Sequence, residues 1–268
     1  MLDGEGTQET SGFDVPILTS PHGPAHGPQA SVLAMSAPVA AKLGLHWNSP
    51  EVPGGGVQVT VEEKLHLARE WQVNSADSWL HVTDGLIRGE RIRSKPAETA
   101  LDIRDEELEK RGSAYLDLDD WVAAVYAHGE RSGWTEENTD LVVRLAVKSY
   151  YVEEQLANDG LLPPGERLVT MFAHDLVSAA YLVHAGARMG FADPNTVSQM
   201  INALGHNASG ITSYRTWASF GAAYVAASSV LFGGYPTDSH YVEPAHTVKA
   251  LLANPMSPWA NIPFPGRN

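Results

Sequence analysis

Apolar side chains recur every three to four residues along most of this 268-residue chain. That spacing is typical of one face of an α-helix, whereas a half-buried strand alternates apolar and polar residues every second position. Two-residue alternation is essentially absent, and we find no internal repeat. The pattern therefore predicts an all-α fold, a compact multi-helix orthogonal bundle with a flexible N-terminal arm and a Pro-rich C-terminal tail.

Several helix boundaries have a local chemical signature. Glu63 follows Thr60 at the spacing of a capping box, in which each side chain satisfies a free backbone N–H group. Asp193 before Pro194 pairs a good cap with a residue that suits the first helical position. The charged stretch from 88 to 114 predicts a solvated loop and a short exposed helix, since its acids and bases cancel locally.

Composition divides the chain into three parts. Residues 1–30 are rich in Gly, Pro and His, and they predict a flexible arm that is partly docked through Val15, Ile17 and Leu18. Residues 31–253 predict a single helical domain. The Pro-rich stretch 254–268 predicts an extended tail.

The formal net charge of -14 limits the partners of the protein. A surface this acidic repels nucleic acid and anionic lipid, so we expect neither a nucleic acid nor a membrane as partner and instead a basic protein. The absence of cysteine excludes disulfides and thiolate sites. Because the chain shows neither a membrane span nor a signal-peptide pattern, we expect a cytoplasmic protein.

The stretch SYRTWASFGAAYVAA places four aromatic rings at helical spacing. Small residues fill most positions between the rings, and small residues also dominate the preceding helix, which a neighbouring helix can approach closely. Rings at this spacing are usually core. We therefore predict that two central helices pack against each other around a structural core of Phe172, Leu176, Trp217, Phe220 and Tyr224.

Asp175 and His174 are the candidate catalytic residues. A carboxylate on so apolar a helix is costly to bury unless a hydrogen bond or a cation compensates it. One interpretation is structural, with Asp175 holding two helices together. The other is functional, with Asp175 acting as an acid or base beside His174 in a cleft.

No cofactor is expected, because the chain lacks the glycine-rich fingerprints of nucleotide sites and the Ser motif of α/β-hydrolases. Metal ligands of suitable types occur only as a weak candidate group in DSHYVEPAH, without a recognised metal-binding spacing. The members of this group are Asp238, His240, Glu243 and His246.

Three stretches carry a family resemblance: REWQVNSADSWLHVTDGLIRGE, AHDLVSAAYLVHAGARMGF and YRTWASFGAAYVAASSVLFGG. Together they resemble the bacterial domain of unknown function 1266 (DUF1266) family over most of residues 31–235, most strongly over 170–235. The resemblance implies an α-helical domain. The family pattern includes a Tyr-Asp-Leu-x-Arg helix. His174 stands at the position of its Tyr and Ser178 at that of its Arg, so if the family uses an Asp/Arg pair, that pair is incomplete here.

Three functional hypotheses follow, and the balance leans away from an enzyme. The first is an acidic protein-binding module, immunity-like or regulatory, without a catalytic set. The alternative is a hydrolytic or small-molecule enzyme that uses Asp175 in a cleft between the two central helices. A second alternative is a secreted effector.

Overall fold

A computed structural model describes residues 15–51, 54, 59–93, 95–210, 214–233 and 237–265. Within these ranges the chain forms a compact helical bundle without β-strands, which confirms the all-α prediction. The only strand-like contact recorded there is an isolated bridge between Leu18 and His46.

Thirteen α-helices and one 3-10 turn, Ala34–Ser36, make up the described bundle. In chain order the helices are α1 (Gly27–Leu33), α2 (Ala37–Leu43), α3 (Val61–Glu70), α4 (Ala76–Ile87), α5 (Glu90–Arg93), α6 (Pro96–Arg111), α7 (Leu118–Ser132), α8 (Glu136–Asn158), α9 (Ala173–Met189), α10 (Pro194–Gly210), α11 (Trp217–Phe232), α12 (Ser239–Ala253) and α13 (Pro258–Asn261).

Helix α9 lies at the centre of the bundle. It packs against α2, α4, α5, α10 and α11, while α11 also contacts α8 and α12. Small residues allow these close approaches: a Cβ added at Gly186 would lie 2.2 Å from the Trp79 ring. The Trp79 indole N–H also donates to the Leu182 carbonyl oxygen of α9 at 2.6 Å.

Helices α6, α7 and α8 form a three-helix layer, which we call the acidic layer. The prediction of a loop and a short exposed helix at 88–114 is wrong, because α6 has 16 residues and a buried side. Glu98 and Arg104 belong to that buried side, so an apolar period alone could not reveal it.

The N-terminal segment is docked from Val15 onward, and helix α1 begins inside the predicted arm. Ser20 and Asn48 join the segment to the domain through two hydrogen bonds, from Ser20 N to Asn48 Oδ1 at 2.8 Å and from Asn48 Nδ2 to the Ser20 carbonyl at 3.0 Å. The last four residues of the predicted arm, 27–30, therefore belong to α1. Residues 1–14 of the predicted arm lie outside the described residues.

The C-terminal segment, predicted as an extended tail, is anchored in the core. Trp259, in α13, is buried, and so are Ile262 and Phe264. The Trp259 indole N–H donates to the carbonyl oxygen of Ala34 at 2.8 Å. This hydrogen bond joins the C-terminal segment to the 3-10 turn that follows α1. Large apolar side chains thus compensate for the missing backbone hydrogen bonds of a Pro-rich segment.

Candidate functional site

The candidate site lies in the first turn of α9, where His174 and Asp175 follow each other. The helix begins directly after Phe172, whose backbone is itself helical, so no Ser, Thr or Asp side chain caps it. Free N–H groups at a helix start favour a carboxylate nearby. This local field suits Asp175, which is placed in that turn.

Asp175 is fully buried and is held by the backbone of α5. Its Oδ2 accepts a hydrogen bond from the Ile92 N–H at 2.9 Å, whereas Oδ1 has no hydrogen-bond partner among the described residues. Burial raises the pKa of Asp175 to about 7, although the Ile92 amide and the Arg91 charge oppose the shift. Near neutral pH the carboxyl group is therefore protonated in a substantial fraction of molecules.

His174 faces aromatic rings of α11. Its ring stacks on Tyr224 with a centroid distance of 6.0 Å and lies 5.1 Å from the ring of Phe232. Its Nδ1 is buried without a hydrogen-bond partner in the described part of the chain. Burial, with a contribution from Arg91, lowers the pKa of His174 to about 4, so the imidazole is neutral at pH 7.

Arg91, in α5, supplies a positive charge that lowers the pKa of both His174 and Asp175. Its guanidinium carbon lies 4.7 Å from the Trp71 ring centroid and 5.9 Å from that of Phe232. Such cation–π contacts hold an Arg side chain over ring faces. The sequence pattern did not reveal this residue, because Arg91 lies in the charged stretch that predicts a solvated loop.

A second buried carboxylate, Glu98, organises the loop before α9. It accepts hydrogen bonds from the Met171 N–H at 2.6 Å and from Thr170 Oγ1 at 2.7 Å. The hydroxyl of Tyr214 accepts from the Ala173 N–H at 2.7 Å. Glu98 was also missed, and its position in the first turn of a helix starting at Pro96 was the available signal.

The core residues named from the sequence are buried or partly buried. Phe172, Leu176, Trp217 and Phe220 are buried, and Tyr224 is partly buried. Trp217 stacks on Trp259 at 5.1 Å with an interplanar angle of 8°, and its indole N–H donates to the Ile262 carbonyl. The aromatic stripe therefore packs mainly against the C-terminal segment, which the sequence analysis did not foresee.

Access decides what Asp175 can do chemically. A general acid or base must come within hydrogen-bond reach of the proton that it transfers. No surface of Asp175 is exposed to solvent, and its one bonded oxygen points at backbone. The cleft between the two central helices that the enzyme hypothesis requires is therefore closed at this residue.

The weak metal candidates do not converge. Asp238 caps α12 and accepts a hydrogen bond from the His240 N–H at 3.0 Å. Glu243 forms an exposed ion pair with Lys42 at 3.0 Å. Across the described ranges, no three His, Asp or Glu side chains come close enough to bind a metal ion.

Every helix in the described part of the chain is too short or too polar to cross a membrane. Comparison with curated proteins and with solved structures gives no significant match in either case. A family model described as a protein of unknown function, DUF1266, matches residues 66–264. The match starts later than the resemblance noted in the sequence and extends beyond residue 235 through the buried C-terminal segment. Since it covers most of the chain, the protein belongs to the DUF1266 family.

Proposed function

We propose that this protein is a non-enzymatic protein-binding module that recognises a basic partner through the acidic layer of α6, α7 and α8. The observation that carries the proposal is the distribution of charge. Residues 96–158 contain fifteen acidic and six basic side chains, a net -9 out of the total of -14. Concentrated charge of one sign speeds the encounter with an oppositely charged partner.

The layer also exposes tyrosines, which are common anchors in protein interfaces. Tyr115 is 66% exposed and Tyr126 is 45% exposed. The hydroxyl of Tyr126 donates to Asp140 Oδ1 at 3.3 Å, and the Asp140 charge raises the pKa of this phenol. Each ring therefore offers an apolar face suited to an Arg or Lys side chain, and the ring of Tyr126 lies beside a carboxylate.

Carboxylates within the acidic layer repel one another, and a basic partner would reduce that repulsion. Asp102 is only partly buried at the surface, but this partial burial raises its pKa, and the neighbouring charges of Asp105 and Glu106 raise it further. Carboxylates that repel one another in the free protein become more stable when a cation approaches. The partner that fits is a protein with an Arg- and Lys-rich face, such as a toxin or an enzyme that acts on nucleic acid.

An immunity-like or regulatory role and a cytoplasmic location are parts of this proposal. The enzyme alternative would require α5 or α11 to move away from Asp175. The effector alternative has no structural observation in its favour. Binding through the acidic layer requires no rearrangement, because the exposed side chains already face solvent.

The test uses charge reversal on the acidic layer. We expect the Asp102→Lys/Glu109→Lys variant to lose a basic protein that the unmodified chain captures from a host extract at low salt. Both side chains are exposed, so the fold tolerates the change. With the captured protein purified, we expect the affinity of the unmodified chain to fall by about tenfold or more between low and high salt.

A matched control changes the net charge by the same amount elsewhere. Glu70 and Glu166 are exposed and lie outside α6–α8. The Glu70→Lys/Glu166→Lys variant should therefore retain binding. Equal losses in the two variants, or the absence of any captured protein that depends on Asp102 and Glu109, would refute recognition through this layer.

A further inference from the structure

We propose that the groove between α8 and α11 binds a free amphipathic carboxylate, with an apolar chain along α8 and an anionic head at Arg144. The groove has a volume of about 870 Å³. Ligand sites of small molecules typically measure about 300 to 1,000 Å³. This site is separate from the outward-facing acids and tyrosines that the proposed function uses.

The wall of the groove is mainly apolar and follows one face of α8. Val143, Val147 and Tyr151 line it at intervals of four residues. Tyr151 remains 50% exposed, although it belongs to the same face. The lining continues as far as Asn158, fifteen residues from Val143, which corresponds to about 22 Å of helix. An extended hydrocarbon chain fits a wall of this shape.

The charges on the groove oppose those of the surrounding layer. Arg144 and Lys148 are the only basic residues of α8, they are one turn apart, and both line the groove. Two like charges at this spacing repel each other and destabilise an isolated helix. A bound anion would offset that repulsion. It would thereby stabilise two neighbouring cations on a helix whose other charged residues are acidic.

The two cations differ in what they contact. The ammonium group of Lys148 donates to the Gly233 carbonyl at 2.6 Å, at the end of α11. Arg144 is exposed and has no recorded ion pair or hydrogen bond among the described residues. Arg144 is therefore the cation that is available to pair with a carboxylate.

A buried hydroxyl marks the floor of the groove. Ser229 lines it and is 2% exposed, yet its Oγ has no hydrogen-bond partner in the described ranges. A buried polar group without a partner is unfavourable, so a ligand atom that accepts its proton would be stabilising. This unsatisfied donor is an observation independent of the apolar wall and of the cations.

Glu154 sets the orientation of the ligand. It lines the groove ten residues after Arg144, about 15 Å further along the helix. Its charge repels an anion at that end, so the carboxylate head lies toward Arg144 and the chain points toward Glu154. The groove lining carries two cations, Arg144 and Lys148, against the single carboxylate of Glu154, so its net positive charge disfavours a cationic amphiphile of the same length.

The test measures binding of monomeric decanoate and of decylammonium by calorimetry with the full chain. We expect decanoate to bind and decylammonium to bind at least about tenfold more weakly. Val147→Asp should weaken decanoate by about tenfold or more, since it places a charge in the apolar wall. Arg144→Gln should weaken decanoate by roughly three- to tenfold and should leave decylammonium no weaker.

Arg131→Gln provides the matched control, because Arg131 is exposed on α7 and does not line the groove. It should leave decanoate affinity unchanged. A urea midpoint for each variant establishes that it is folded. If Val147→Asp does not fold, the surface variant Arg144→Gln still decides the test. Failure of decanoate to bind, equal affinity for the two amphiphiles, or equal effects of Arg144→Gln and Arg131→Gln would overturn the proposal.

Discussion

The two ends of α9 bury ionisable groups in opposite ways. At the carboxyl end, Arg188 contacts Glu63 through two nitrogens, Nη2 at 2.5 Å and Nε at 3.1 Å from Oε1. The hydroxyl of Tyr181 approaches the same oxygen at 3.4 Å. At the amino end, the Asp175 carboxyl group accepts a hydrogen bond from the Ile92 amide and has no counter-ion in direct contact among the described residues.

The two ends of α9 therefore compensate the desolvation cost of a buried carboxylate in two different ways. A buried carboxylate with a bidentate cation stays charged, whereas one without a cation shifts its pKa and becomes neutral. The carboxyl end therefore contributes a fixed ion pair, and the amino end contributes a group that titrates near pH 7. Stability should depend on the pair at one end and on pH at the other.

The largest expected effect comes from breaking the ion pair. Arg188→Met leaves the largely buried carboxylate of Glu63 without its cation, so we expect the free energy of unfolding to fall by about 3 kcal/mol. Urea unfolding at pH 7.5 measures this loss.

The matched variant is Glu63→Gln/Arg188→Met, which removes both charges. It should recover a substantial part of the loss, because no unpaired charge is then buried. If the single and double variants are equally unstable, the effect of Arg188 is packing and not charge.

The amino end should give a smaller effect that depends on pH. Folding raises the pKa of Asp175 from 3.8 to about 7, so the folded state holds the proton more tightly. The stabilisation from this group is present at low pH and is lost as pH rises toward 7. Between pH 5.5 and 8 the loss is about 2 kcal/mol. Asp175→Asn should remove it.

The measurement is the stability of Asp175→Asn relative to the unmodified chain at both pH values. Relative to the unmodified chain, we expect the free energy of unfolding of the variant to rise by about 2 kcal/mol from pH 5.5 to pH 8. Asp77→Asn is the control, since Asp77 is exposed in the first turn of α4. A pH-independent difference for Asp175→Asn would show that its carboxyl group does not titrate in this range.

The sequence could predict the ends of helices better than their contacts. Thr60 caps α3 by accepting from the Glu63 N–H, and Asp193 accepts from the Thr196 N–H before α10, as the local signatures indicated. Capping is a short-range interaction, so its residues are neighbours in sequence. The same local analysis also identified α11 and its aromatic stripe.

The partners of the site could not be predicted, because they are distant in sequence and mixed in character. Asp175 is bonded to the Ile92 amide, 83 residues away, in a short helix of a stretch that looked solvated. The buried side of α6 includes Glu98 and Arg104, so it lacks the apolar period that marks a core helix. Trp259 lies in a four-residue helix, too short to show any period.

His174 should oppose Asp175 across the same pH range. Its Nδ1 is buried, and folding lowers its pKa from 6.5 to about 4, so the unfolded chain binds the proton more tightly. Stability from this group therefore rises between pH 4 and 6.5, by about 1.4 kcal/mol from pH 5.5 upward. His174→Phe should remove this gain and expose the full decline caused by Asp175. A pH profile unchanged in His174→Phe would contradict a buried, neutral imidazole.

Arg91→Gln should give the smallest effect on stability and a distinct effect on titration. Losing the cation–π contact with Trp71 should cost about 0.5 to 1 kcal/mol. The Arg91 charge lowers the pKa of both His174 and Asp175, so its removal should raise both values. NMR titration of the His174 ring and the Asp175 carboxyl measures the shifts.

Arg88→Gln is the matched control, because Arg88 pairs at the surface with Asp84 and Glu90. Equal shifts in the two variants would mean that only net charge acts at the amino end, whereas a shift confined to Arg91→Gln would establish that this one guanidinium lowers both pKa values.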